Sequence, residues 1–333
     1  MGASNLVVGA NGFLGSHVAR QLATAGVDTR AMVRPGADTR SIDDLDMKRF
    51  DGDIFDTETL RKAMDGCDDV YYCVVDTRAW LRDPAPLFRT NVEGLRNVLE
   101  VAARAELRRF VFTSSYVTIG RRHHHVATEA DTIDRPQLNP YVESRVRAED
   151  MVMQYAVQGL PAVAMCVSTT YGDGDWGATP HGALIAKTVR RELPAMINDI
   201  EQEVVGIDDA ARALILAADY GHNGQRYIIS ERMMQVKEVV RIAADEAGVP
   251  PPRWSIPARF LYGIGALVSL KVRITGKDDE YSLSSLRLLK AEAPLDNRKA
   301  IHELHWQPRP VQESIREAAR FWMTNPRPIR GSR

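Results

Sequence analysis

The sequence predicts an α/β protein, a doubly wound parallel sheet with a smaller, mostly helical C-terminal lobe. Three observations carry this. Short apolar runs alternate with longer amphipathic segments through the first half, the pattern of strand–helix–strand units that build a parallel sheet. The first unit holds a glycine-rich turn, Gly9-Ala10-Asn11-Gly12-Phe13-Leu14-Gly15, between Leu6-Val7-Val8 and a helical run from His17 to Leu22. After Ser168 the alternation stops at YGDGDWGATPHG, whose Gly, Pro and Asp read as loop.

Taken in order, strands are expected over residues 5–9, 29–33, 48–51, 69–75, 109–114 and 162–168, and helices over 12–25, 57–64, 87–105 and 140–158. In the third helix Val92, Leu95, Val98, Leu99 and Ala102 fall on one face, so it can pack on a sheet. A strand over 203–207, a helix over 209–219 and a strand over 225–229 are expected to return to the sheet. Residues 1–168 with 201–230 then form a dinucleotide-binding domain, and 169–200 with 231–333 a substrate lobe.

Residues 259–274, RFLYGIGALVSLKVRI, are apolar nearly all round from Phe260 to Leu270. A membrane-spanning helix needs about 20 such residues, so the segment reads as a helix buried in the lobe. The alternative is a hydrophobic lid or a shallow membrane-surface contact assisted by Lys271 and Arg273. Both favour an apolar substrate.

With 43 Lys+Arg against 44 Asp+Glu and 44% hydrophobic residues, the chain can bury a core but has no overall field to attract nucleic acid. Cys67, Cys73 and Cys166 lie in or beside apolar runs without CxxC spacing, which favours buried thiols over disulfides. The first residues, MGASNLVVGANGF, show neither a basic nor a long apolar leader, and Leu6 stands where a myristoylation motif wants Ser or Thr. A cytoplasmic location is expected.

The glycine turn has the strand-before, helix-after context that dinucleotide binding requires. Gly9 permits the tight turn, Gly12 admits the pyrophosphate to backbone N–H groups, and Gly15 lets helix and strand approach. The phosphates then sit at the positive end of the helix dipole. The second strand ends Ala31-Met32-Val33-Arg34-Pro35-Gly36, with Arg34 where an NAD-selective fold places a carboxylate on the ribose. That favours NADP(H), with Arg40 as a second contact; if Arg34 only stacks on the adenine, NAD(H) is accepted too. Asp53, followed by Ile54, stands where it can accept from the adenine amino group or cap the next helix.

Ser115 follows a strand at its C-terminal end, which in an open α/β sheet faces the ligand crevice. Tyr141 and Arg145 are four apart on a helix and share a face. Reduction of a ketone needs a proton at oxygen, and a tyrosine supplies it when a neighbouring cation lowers its pKa from about 10. Ser115 would orient the substrate oxygen.

Together these features resemble the extended short-chain dehydrogenases/reductases. The resemblance runs over nearly the whole chain, through Gly9, Gly12, Gly15, Asp53, Thr90-Asn91-Val92-Glu93-Gly94, Asn97-Val98-Leu99, Thr113-Ser114-Ser115 and Tyr141. It closes on Trp306-Gln307-Pro308-Arg309-Pro310 and a Phe321-Trp322 helix. Arg34 and Asp76-Thr77-Arg78-Ala79-Trp80 are most similar to the dihydroflavonol-reductase and hydroxysteroid-dehydrogenase branch and its bacterial relatives. The resemblance implies that Cys73, Val74 and Val75 line the nicotinamide ribose, that Thr113 lies beside it, and that the helices over 87–105 and 140–158 form a homodimer face. Two positions depart from the family pattern. Arg145 replaces a lysine, so positive charge is kept but a proton relay through it is lost. Cys166-Val167-Ser168 lacks the proline that precedes a Ser or Thr whose backbone meets the nicotinamide amide.

His123-His124-His125 splay in different directions and lack metal-ligand spacing, so no metal is expected. Trp80, Tyr171, Trp176, Met196 and Tyr262 are candidates for an apolar substrate pocket, with His181 as a polar contact. The leading expectation is an NADP(H)-linked reductase of a small apolar carbonyl substrate. Nucleotide-sugar epimerisation or dehydration is the alternative, disfavoured by Asp173 and Asp175 where a phosphate pocket wants cations; a cofactor-binding regulator without turnover, prompted by Arg145, is the third.

Overall fold

A computed structural model describes residues 4–122, 124–134, 139–260, 265 and 293–325. Strand β1 (Ser4–Val8) is buried throughout; Leu6 and Val8 enter one apolar cluster and Val7 another. The two-residue period of a strand requires this split, and it makes β1 a central strand covered on both faces. With β2 (Asp28–Val33), β3 (Lys48–Asp51), β4 (Asp69–Tyr72), β5 (Arg109–Ser115), β6 (Ala162–Val167) and β10 (Arg226–Ile229) it forms a seven-stranded sheet. All pairs are parallel, in the order β10-β6-β5-β4-β1-β2-β3.

Helices α1 (Phe13–Thr24) and α7 (Ile207–Tyr220) cover one face, where Val18, Leu22, Leu214 and Ala217 pack with Val7. Helices α2 (Thr57–Met64), α4 (Leu95–Ala102) and α5 (Pro140–Val157) cover the other, bringing Leu60, Leu95, Leu99 and Val152 against Leu6. The parallel sheet with helices on both faces agrees with the sequence reading.

The helix expected over 87–105 starts earlier, as α3 (Ala85–Phe88), and passes through a π-helical segment, Arg89–Gly94, before α4. Gly94 sits where a Cβ would lie 2.2 Å from Ile54 Cδ1, so the helix needs a glycine to let the loop after β3 pack. β4 stops at Tyr72, three residues short of expectation. The Cys73 amide makes the last bond to Val8 O (2.9 Å), and Val74 and Val75 run off the sheet.

One expectation is corrected. The strand foreseen over 203–207 does not rejoin the main sheet; β9 (Glu201–Gly206) lies in a three-stranded sheet between β7 (Thr169–Tyr171) and β11 (Arg232–Gln235). The place beside β6 is taken by β10, and the Ser168 amide already donates to Ile229 O (2.9 Å). The segment read as loop after Ser168 also contains β7 and leads into a helix, α6 (Pro180–Val189). Its start was written in Thr179-Pro180: the Thr179 hydroxyl accepts from the Gly182 amide (3.1 Å), with proline in the first turn.

The lobe is held by α6, α8 (Val236–Glu246) and α10 (Val311–Thr324), where Ile185, Val239, Ile315 and Trp322 close on Tyr171 and Val204. Short strands β8 (Met196–Asn198) and β12 (Ser255–Pro257) pair in parallel. Helix α9 (Arg298–Glu303) leads to Trp306, which is fully buried and donates from its indole to Asp209 O (2.8 Å), tying the C-terminal segment to α7. Only Arg259, Phe260 and Gly265 of the apolar segment 259–274 are described. Tyr262 and His123 lie outside the described residues. Among the described residues no helix is long and apolar enough to cross a membrane, and the three cysteines are free.

Candidate active site

The strand order places a topological switch between β1 and β4, the point where open α/β sheets bind ligands at their C-terminal ends. The glycine turn follows β1, Cys73–Val75 follow β4, Ser115 ends β5 and Ser168 follows β6. Four separately predicted positions thus fall at the ends of four adjacent strands.

Gly9 has φ +83°, a left-handed conformation that favours glycine, and a Cβ at Gly15 would stand 2.2 Å from Gly9 O. Gly12 is the exposed N-cap of α1 and supplies no side-chain hydrogen bond. The first amides of α1 beyond this turn are therefore open to an anion. Asn11 fastens the neighbouring loop, donating from Nδ2 to Asp38 O (3.1 Å) and accepting at its carbonyl from Ser41 Oγ (3.0 Å). Phe13 and Leu14 are half-buried in the first turn of α1.

Arg34 is exposed at the end of β2; its carbonyl accepts from the Ala37 amide (3.0 Å), while its guanidinium makes no hydrogen bond or ion pair with the described residues. Arg40, by contrast, is engaged: it pairs with Asp38 (2.9 Å) and stacks on Trp176 (4.4 Å). Asp53 accepts from the Phe55 amide (3.1 Å), while Asp56 caps α2 through the Thr59 amide (3.0 Å). Capping is Asp56's role, and Asp53 stays half-buried at the crevice edge. Ile54 is buried against Gly94.

Asn139 caps α5 through the amides of Tyr141 (2.9 Å) and Val142 (3.3 Å), which fixes where Tyr141 enters the crevice. The Ser115 hydroxyl, which accepts from the Val117 amide (3.4 Å), is the polar side chain that acts on the Tyr141 phenol. Burial raises the Tyr141 pKa above the ordinary phenol, and the charge of Arg145 and the Ser115 hydroxyl both oppose that rise. Arg145 is 1% exposed, donates from Nη2 to Thr113 O (2.5 Å) and lies 5.1 Å from the Phe112 ring. Its Nε and Nη1 are buried without a hydrogen-bond partner among the described residues. A buried guanidinium with two unsatisfied nitrogens is costly and calls for acceptors.

The sequence model of the NAD dependent epimerase/dehydratase family matches residues 5–230. The chain belongs to this family. A Synechocystis sp. protein provisionally named a dihydroflavonol 4-reductase is 26% identical over 330 residues, spanning 96% of this chain and 94% of that protein. The 2-alkyl-3-oxoalkanoate reductase of Shewanella oneidensis is 27% identical over 295 residues, spanning 82% and 74%. The crystal structure of gox2253 superposes with a TM-score of 0.84 at 30% identity, covering 97% and 98%.

This epimerase/dehydratase family member has a site that fits the family's dinucleotide. The glycine cradle that a Cβ at Gly15 would fill, the uncapped start of α1 and the orphaned Arg145 nitrogens are all complementary to a pyrophosphate and ribose hydroxyls. Beyond β4, Cys73 is reached by Thr113 Oγ1 (3.6 Å), and burial pushes its thiol pKa up to about 12, so it stays a neutral lining group. Val74 is half-buried and Val75 is 38% exposed, offering apolar surface at the strand end. Asn91, in the π-helical segment, braces this loop by donating to Asp76 O (2.9 Å) and Ser144 Oγ (3.0 Å) and accepting from the Asp76 amide (2.8 Å). Trp80 follows, half-buried.

At Ser168 the backbone N–H is committed to Ile229 O (2.9 Å), and the buried hydroxyl has no hydrogen-bond partner among the described residues. Three of the substrate candidates, Tyr171, His181 and Trp176, pack against residues of the lobe. Tyr171 is buried in the lobe core, its hydroxyl accepting from Gln202 Nε2 (2.5 Å). His181 lies against the Tyr171 ring (6.1 Å), and burial lowers its pKa to about 4. Trp176 packs edge-on against Phe321 (5.0 Å). Of the histidine run, His125 pairs with Asp131 (3.1 Å), and the described residues hold no group of three metal-ligating side chains. Two charged residues of the site region escaped the sequence reading: Glu149, four residues beyond Arg145, and Arg226, from a strand 77 positions later.

Proposed function

We propose that the protein is an NADP(H)-dependent oxidoreductase interconverting a carbonyl and a secondary alcohol on a small apolar substrate. The observation that carries this reading is that Ser115 and a buried, partly unsatisfied Arg145 both act on the Tyr141 hydroxyl, each favouring its ionised form. Tyr141 gives a proton to the carbonyl oxygen as the alcohol forms, while Ser115 holds that oxygen and lowers the phenol's pKa. Arg145 would hold ribose hydroxyls through Nε and Nη1 and keep positive charge beside Tyr141. The glycine turn and α1 would take the pyrophosphate, and Arg34, free at the end of β2, a 2′-phosphate. When bound, the nicotinamide supplies the hydride.

The exposed apolar surface at Val75 and the half-buried Trp80 five residues on support an apolar substrate. The names of the reductase relatives support the reaction class. A nucleotide-sugar reading gains nothing at Asp175, which is buried and bonded to Thr179 as part of the start of α6. The test is oxidation of NADPH by the purified protein with a panel of aromatic, steroid and flavonoid ketones. Turnover is expected, and Tyr141→Phe should lower kcat by about 10²–10⁴-fold, the usual worth of a positioned general acid. No oxidation with any ketone, or a Tyr141→Phe variant of undiminished activity, overturns the proposal.

A further inference from the structure

Glu149 sits one turn beyond Arg145 and two beyond Tyr141 on α5, so the three residues share a face. It is 5% exposed, and its carboxylate meets groups from β5, the turn that follows it, β6 and β10. Ser114 Oγ, at the end of β5, donates to Oε2, and so does Cys166 Sγ of β6 (3.4 Å). The Thr118 hydroxyl lies between Oε2 (2.9 Å) and Ser115 O (2.8 Å). Arg226 of β10 brings Nε to 2.8 Å from Oε1, outside hydrogen-bond alignment, and donates from Nη2 to Thr118 O (3.1 Å). An ion pair with Arg226 would need only Oε1. Oε2 is occupied by hydroxyls on both sides of Ser115.

We propose that Glu149 is a positioning residue for the reduction, holding the Ser115 hydroxyl against Tyr141 by clamping Ser114 and Thr118. This rests on the reading under which Ser115 and Tyr141 handle the substrate oxygen. The physical content is that one buried carboxylate joins the helix bearing the proton donor to the strand end bearing its partner. A shift of Ser115 by a fraction of an ångström weakens its action on Tyr141 without disturbing the glycine turn.

The test uses the full chain with 3,5-difluorotyrosine at position 141, whose ionisation is followed by ¹⁹F NMR without substrate or turnover. The groups that act most strongly on Tyr141 are Arg145, Ser115, Tyr116 and Asp76. Under the proposal a change at Glu149 reaches Tyr141 through Ser115, and the combined variant with Ser115→Ala separates that route from a direct charge effect. Ser115→Ala should raise the titration midpoint. Glu149→Gln/Arg226→Gln, which avoids stranding a buried guanidinium, should raise it equally, and the combined variant should show no further rise. Glu149→Gln alone, isosteric with the native residue, is measured alongside. In kinetics, kcat should fall about tenfold to hundredfold, the scale of a small misplacement, with NADPH affinity unchanged. A midpoint at the native value in both Glu149 variants, or additive shifts in the combined variant, overturns the proposal. Failure of the reductase reading shows separately, as native protein that oxidises no NADPH while the midpoints still shift together.

Discussion

Gly15→Ala tests the cofactor cradle at its tightest point. The added Cβ would stand 2.2 Å from Gly9 O, 3.0 Å from Gly9 C and 3.3 Å from Ala10 Cα, all backbone atoms that no rotamer can clear. Ordinary contact begins near 3.4 Å, so the start of α1 must withdraw from β1 by about 1 Å. Overpacking of this kind costs about 1–3 kcal/mol of stability. The same movement draws the open amides of α1 away from the pyrophosphate. Losing the alignment of one hydrogen bond to a charged group costs about 1.5–3 kcal/mol, or roughly a 10- to 100-fold weaker Kd. Fluorescence titration with NADPH and NADH, with Tm read in parallel, measures both effects. Gly177→Ala is the control, since Gly177 has open space around its Cβ and no positive φ. A Gly15→Ala variant that binds both cofactors within about twofold of the native protein, at unchanged Tm, would refute the packing argument.

Three further outcomes are expected. Arg145→Met removes the charge that opposes the rise in the Tyr141 pKa; the rising limb of the kcat–pH profile for alcohol oxidation should then move to higher pH, whereas Arg145→Lys should leave it in place. Arg34→Glu should weaken NADPH binding at least tenfold, the scale of one lost ion pair to a phosphate, and spare NADH; equal losses for both would mean that Arg34 stacks on the adenine. The His181 pKa is lowered to about 4 in the folded protein from 6.5, so the unfolded chain binds more protons between those values. Its contribution therefore costs stability as pH falls from 6.5 to 4, and His181→Leu should flatten the fall of Tm over that window; parallel Tm curves would show that His181 does not titrate this way.

Much of the nucleotide-binding half was legible because its signals are local. The glycine turn needs only a strand before it and a helix after it, and α2 and β3 were bounded correctly from periodicity and turn residues alone. Helix α6 was missed although Thr179-Pro180 marks its start, because the surrounding Gly, Pro and Asp outweighed that one cap. The strand over 203–207 was placed in the wrong sheet for a different reason. Its apolar pattern says that it is buried, but only competition with β10 for the edge of β6 decides which sheet receives it.

The site divides along the same line. Covalent neighbours and helical spacing were enough to pair Tyr141 with Arg145, to place Ser115 at a strand end and to single out Arg34, since each of these follows from a distance of a few residues along the chain. Tertiary structure alone decided that Arg40 lies between Asp38 and Trp176, that Tyr171 belongs to the lobe core, and that Glu149 gathers Ser114, Thr118, Cys166 and Arg226. The most distant of these contacting pairs, Arg40 and Trp176, is separated by 136 positions. Nothing local encodes such distances; they are set by how strands order themselves in the sheet and by which buried polar groups then find each other.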